Sequence, residues 1–133
     1  MKINWLAILA CVVLNAVLGL AWYGVFSQSW MDGNGLTMEV IENAENANMG
    51  YGISAAVALI SAVIFTLFFR RMGVESWMDG LKSGAAVGLL ALLGMTVNNW
   101  FSMEPMTLSL IDGGFSFFQY TLFGVIIGAW PNK

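Results

Sequence analysis

Four long apolar runs separated by polar segments organise the chain. They cover residues 3–26, 50–70, 77–101 and 107–130. A helix rises ~1.5 Å per residue, so each run is long enough to cross the ~30 Å hydrocarbon core of a bilayer with little or moderate tilt. The pattern predicts an all-α integral membrane protein, an antiparallel four-helix bundle forming one transmembrane domain over residues 1–133.

The segments between the runs carry start and stop signals. Trp5 and Trp22-Tyr23 mark the two ends of the first run, as interfacial aromatics do. Residues 27–49 form a polar, acidic loop in which Asp32-Gly33-Asn34-Gly35 reads as a turn. Thr37 suits the cap of a short amphipathic helix over residues 38–47. Its apolar face would hold Leu36, Val40, Ile41 and Ala44, with Glu39, Glu42 and Glu45 mostly elsewhere. Arg70-Arg71 closes the second run, and a tight turn follows through Met72-Gly73-Val74. Ser76 and Asp79 have capping-box spacing at the start of the third run. Asn98-Asn99-Trp100 ends it, and Pro105 stands just before the fourth. Ser29-Trp30-Met31-Asp32-Gly33 recurs as Ser76-Trp77-Met78-Asp79-Gly80. One copy follows a span and the other opens one, so the repeat reads as shared interfacial anchoring, not as an inverted duplication.

Small residues recur every four positions on each span. The stripes are Ala7, Cys11, Asn15 and Gly19; Gly50, Ser54, Ala58 and Ala62; Gly80, Gly84 and Gly88; and Ser116, Tyr120, Gly124 and Gly128. Such stripes let helix backbones approach closely in lipid.

Composition sharpens this picture. Charged residues are 10% of the chain against about 25% in a soluble domain, which makes a soluble reading poor. A net charge of −3 gives no footprint for nucleic acid. There is no histidine and one cysteine, Cys11, so intrachain disulfides, Cys-rich zinc sites and His-dependent catalysis are excluded. Lys2 and Ile8-Leu9-Ala10-Cys11 imitate a signal peptide with a lipoprotein cleavage box. Too few residues precede Cys11 for that, and the segment reads as a retained first span.

Charge also orients the bundle. Four spans place Lys2, Arg70, Arg71, Lys82 and Lys133, all the basic residues, on the side of the termini. The other side holds Asp32, Glu39, Glu42, Glu45 and Glu104. The positive-inside rule then puts both termini in the cytoplasm and the acidic loop on the periplasmic or outer side.

The chemistry to explain is Asp112, the one acid in the last span. An acid at membrane depth costs about 2.5–3.5 kcal/mol on insertion scales unless it is sheltered. Helical rise places Asp112 about 10 Å above the midplane, level with Asn98 and Asn99 on the neighbouring third span. Asn15 and Gln119 fall near the midplane on the first and last spans. These five residues form the candidate intramembrane polar cluster, with Asn98 or Asn99 expected within hydrogen-bonding reach of Asp112. The Gly113-Gly114 pair beside the acid would loosen the helix there.

With the spans placed, the chain resembles the domain-of-unknown-function family seventeen sixty-one, whose members are small bacterial four-span membrane proteins. The resemblance lies in Asn4-Trp5-Leu6-Ala7, Gly19-Leu20-Ala21-Trp22-Tyr23, Trp30-Met31 and Gly35-Leu36-Thr37. It continues in Asn98-Asn99, Leu110-Ile111-Asp112-Gly113-Gly114-Phe115 and the stretch 124–130. Asp112 stands where the pattern has Asn, and Phe115 where it has Tyr. The family has no established activity, so the resemblance implies a four-span fold and a bacterial inner-membrane location only.

The leading functional reading is a non-enzymatic accessory bundle that packs with the lipid bilayer, with copies of itself as a homo-oligomer, or with a larger membrane complex. Its warrant is a small-residue stripe on every span, above all Gly80, Gly84 and Gly88 with Gly124 and Gly128. The alternative is a small channel or carrier for a cation or small polar solute, using Asp112, Asn98 and Asn99. A water-filled cavity running from Asp112 toward Gln119 would favour transport; glycine faces set against a neighbouring subunit would favour packing. No catalytic, metal or cofactor motif appears. The orientation makes a direct prediction. A cysteine placed at Asn43 should react with an impermeant thiol reagent from one side of the membrane, and one placed at Lys133 from the other. Reaction from the same side would refute four spans.

Overall fold

The computed structural model describes residues 2–131. They form six helices: α1 (Trp5–Val25), α2 (Ser27–Asn34), α3 (Met38–Glu42), α4 (Met49–Met72), α5 (Trp77–Phe101) and α6 (Met106–Ala129). Four of them, α1, α4, α5 and α6, are long and apolar enough to cross a membrane. Their bounds lie within two residues of the apolar runs, because each run ends where a cap or a turn is encoded. Asn4 caps α1, its Oδ1 accepting from the amides of Leu6 and Ala7 at 3.1 and 3.2 Å. Ser76 caps α5, its Oγ accepting from the Asp79 amide at 3.1 Å. α4 stops at Gly73, whose φ of 69° suits a residue without Cβ, just after Arg70 and Arg71 complement the helix dipole.

The polar loop departs from the sequence reading. The segment taken as a turn at Asp32 to Gly35 is mostly helix, and the left-handed residue comes at its end, Gly35 with φ 67°. An eight-residue helix containing glycine and asparagine has little stability alone. Docking supplies it: Met31 is buried, and Gly33 lies so close to α6 that a Cβ there would meet the Leu108 side chain at 2.8 Å. α3 starts where expected, with Thr37 Oγ1 accepting from the Val40 amide at 3.3 Å. It ends at Glu42 rather than reaching residue 47. Only Leu36 and Ile41 of its apolar face are half-buried, while Val40 and Ala44 are exposed, so there is little burial to extend it.

α6 is the centre of the bundle. It contacts α1, α2, α4 and α5, whereas the contacts of α5 are almost wholly with α6. The α5 side of α6 is a glycine seam. A Cβ at Gly80 would run into the Gly124 carbonyl oxygen, one at Gly84 into the Tyr120 oxygen, and one at Gly88 would sit 2.7 Å from the Phe117 oxygen. From the other side, a Cβ at Gly128 would sit 2.5 Å from the Ser76 oxygen. The stripe on α5 and the glycines of α6 are therefore used within the chain.

α1 and α4 cover a second side of α6. Ile8, Cys11, Ala58, Ala62, Phe65, Phe69, Phe123 and Ile127 make a core at the end of the bundle that carries the termini, here the terminal end. The opposite, loop end is different. Residues 49–57 of α4 are all exposed, so its small-residue stripe is buried at Ala58 and Ala62 but open at Gly50 and Ser54. α4 thus packs through its second half and parts from the bundle in its first. Of the basic residues, Lys133 lies outside the described part.

The seam predicts a contrast between glycines. Gly88→Leu should lower stability by about 1–3 kcal/mol, since the overpacked atom is backbone and cannot step aside. Gly94→Ala, at a position with nothing within 4 Å, should be neutral or stabilising. Thermal unfolding of the purified proteins in detergent would separate them.

Candidate functional site

One antiparallel register positions the polar groups between α1 and α6. At mid-depth Gln119 Nε2 donates to Asn15 Oδ1 at 2.5 Å. Eleven residues toward the terminal end on both helices, Asn4 Nδ2 donates to the Trp130 carbonyl at 2.9 Å. Seven or eight residues toward the loop end, Tyr23 Oη donates to Asp112 Oδ1 at 2.6 Å and Trp22 Nε1 to the Ile111 carbonyl at 2.9 Å. Trp22 and Tyr23 thus bind α1 to α6.

Asn15 joins three helices. Its Oδ1 takes the Gln119 proton, and its Nδ2 donates to Ser54 Oγ on α4 at 2.9 Å. Asn15 and Gln119 are only 5% and 9% exposed. In a dry setting each amide would be costly if unpaired, and here each has a partner.

The predicted association of Asp112 with Asn98 and Asn99 is not formed. Asn99 Nδ2 instead donates to Ser109 Oγ at 3.1 Å, and Asn98 is exposed. Depth along the membrane missed the level as well as the direction around the helix: Gly113, next to Asp112, lies against Leu92, which leaves Asn98 and Asn99 more than a turn of α5 closer to the loop end. Successive residues on α6 point about 100° apart. Ser109, Gly113 and Phe117 face α5, while Asp112, Phe115 and Gln119 face α1. The acid is sheltered by the first span, not the third.

Between α1, α6 and the diverging half of α4 lies a cleft of about 770 Å³. Its polar lining comes from Asn15, Tyr23, Trp30, Tyr51, Ser54 and Asp112. Most of the remaining wall is apolar, from residues such as Ala16, Leu20 and Phe115. Tyr23 is the corner of the aromatic side, edge-on to Trp30 with centroids 6.2 Å apart and tilted against Phe115 at 5.4 Å. Asp112 accepts from Tyr23 through Oδ1, and Oδ2 has no protein donor among the described residues. The floor is closed: next to Asn15 toward the terminal end, Cys11, Ala58, Ala62 and Phe123 are fully buried. No group of three His, Cys, Asp or Glu converges among the described residues. Such a cleft is suited to holding a small molecule by one polar group while its body lies on apolar wall.

Sequence reading missed Tyr23, Trp30, Tyr51 and Ser54 as wall residues. A signal for Tyr23 was present. Carrying the Asn15–Gln119 pairing eight residues along α1 leads to it opposite Asp112. Nothing in the stripe on α4 distinguished its packed half from its open half.

The Tyr23–Asp112 bond makes a stability prediction. Asp112→Asn keeps a carbonyl acceptor for the Tyr23 hydroxyl and should leave unfolding almost unchanged. Asp112→Leu leaves the hydroxyl alone and should cost about 1–3 kcal/mol. Adding Tyr23→Phe to Asp112→Leu should recover part of that loss, because neither polar group then remains. Denaturant or thermal unfolding of the three variants measures it.

Comparison with curated proteins and with solved structures found no match. The family model described as "Protein of unknown function (DUF1761)" matches residues 6–128. That match takes in the register pairs Asn15–Gln119 and Tyr23–Asp112, the glycine seam and the whole cleft. The chain therefore belongs to the DUF1761 family of proteins of unknown function.

Proposed function

We propose that the protein is a non-enzymatic protein of the bacterial inner membrane that binds a small polar or cationic solute in the cleft, in the manner of a carrier. The cleft supports this over the accessory-bundle reading that the glycine stripes first favoured, because the seam uses those stripes internally. The observation that carries the proposal is a cavity with an acid on its wall and a paired amide at its floor. An open channel would need a continuous polar path, and the packed core below Asn15 interrupts one. A binding site reached from one side and sealed on the other is what alternating access requires of one conformation.

The charge pattern supports an orientation. Lys2, Arg70, Arg71 and Lys82 lie at the terminal end, which by the positive-inside rule is cytoplasmic. The cleft then faces the periplasm, beside the acidic loop.

A second reading keeps one observation in its favour. α5 packs almost wholly on α6, and Leu90, Leu93 and Val97 are exposed. This face supports packing against lipid, a second copy or a larger membrane complex.

Water access tests the cleft without knowing the solute. In a Cys11→Ala background, Ala55→Cys on the cleft wall should react with an impermeant maleimide added from the loop side. Ala62→Cys, below the floor, should stay unreactive from either side. An unreactive Ala55→Cys would mean that lipid fills the cleft, and would refute the binding reading.

A further inference from the structure

We infer that the cleft is selective for organic cations with an apolar body, bound through Asp112 and an aromatic wall. This rests on the reading of the cleft as a binding site and adds the class of its ligand. Three observations converge on it.

The first is the sign of charge. Among the described residues, Asp112 is the only charged one lining the cleft, and its Oδ2 has no protein donor. The loop segments at the same end of the bundle add Asp32, Glu39, Glu42, Glu45 and Glu104, while residues 26–48 and 98–106 contain no Lys or Arg. An acidic end of the bundle beside a low-dielectric cavity concentrates cations and repels anions.

The second is the number of hard oxygen ligands. Calcium takes ~6–8 oxygens, and magnesium keeps a near-ideal octahedral shell. The wall offers one carboxylate, and the Asn15–Ser54 pair is about two helical turns away along α1. Asn15 is moreover already occupied by Gln119 and Ser54. A bare metal ion would lose its water here and gain too few replacements.

The third is the remainder of the wall. Trp30, Tyr23, Tyr51 and Phe115 bring aromatic rings to the same cavity as the acid. Ring faces attract ammonium and other diffuse cations, and gain strength where water is scarce. Ala16 and Leu20 extend the wall toward mid-depth, giving an apolar body a place to lie. The volume of about 770 Å³ falls within the ~300–1,000 Å³ typical of sites for drug-sized molecules.

Two ions of matched shape and opposite charge test the inference. Radiolabelled tetraphenylphosphonium is equilibrated with the full-length protein in nanodiscs, and empty nanodiscs are subtracted. Saturable binding is expected. Tetraphenylborate should compete at least about tenfold more poorly than unlabelled tetraphenylphosphonium, and Asp112→Asn should weaken binding by about tenfold or more. Tyr51→Ala, which removes a ring from the exposed part of α4, should weaken it several-fold. Equal competition by tetraphenylborate, or unchanged binding by a folded Asp112→Asn, would overturn cation selectivity while leaving a binding cleft in place. No saturable binding with a reactive Ala55→Cys would overturn the inference and leave a water-filled cleft. No binding with an unreactive Ala55→Cys would overturn both.

Discussion

Lipid is as apolar as leucine, so burying leucines against one another does little to hold membrane helices together. Close contact between backbones and hydrogen bonds between polar side chains must do it. In this protein both devices are placed on α6. Its glycine side lets the α5 backbone approach until carbonyl oxygens stand where a Cβ would be. Another side presents Asp112 and Gln119 to Tyr23 and Asn15 of α1. The rest of the chain is arranged around these two sides of one helix.

The polar side has a cost that explains the cleft. An acid and two amides within a bundle need partners: Tyr23 of α1 serves the acid, Asn15 and Gln119 serve each other, and α4 adds Ser54 at the level of Asn15. Below that level alanines, Cys11 and phenylalanines close the space. Above it α4 has no packed face, and the aromatic residues of α1 and α2 line a cavity in place of a core. The same helix that seals the bundle at mid-depth therefore also walls an opening toward its loop end.

The spans, their caps and their number were legible because each rests on local chemistry. Ser76, Thr37 and Gly73 act within a few residues of themselves, and long apolar runs leave one choice of secondary structure. The pairing of Asn15 with Gln119 was legible from depth alone, since both residues lie near the midplane of spans that prove to be neighbours. Azimuth was not. Depth could not tell which side of α6 carried Asp112, so the acid was assigned to Asn98 and Asn99 instead of Tyr23. The loop helix α2 was unreadable for another reason. Its sequence favours a turn, and docking against α6, with Met31 buried and Gly33 against Leu108, holds it as a helix.

The reliance of α5 on α6 also bears on the order of assembly. The two helices are joined by four residues, 102–105, and their seam consists of glycines that need no rotamer to be frozen. Closing so short a loop loses little chain entropy. The Asn15–Gln119 contact instead links positions 104 residues apart, and it cannot form until the last span exists. The C-terminal hairpin can thus close without the first two spans. α1 and α4, which also pack on each other, complete the bundle against the polar side that it presents. A lesion in the seam would on this account strike the local C-terminal hairpin, and one in the cleft the long-range docking of the first two spans onto it.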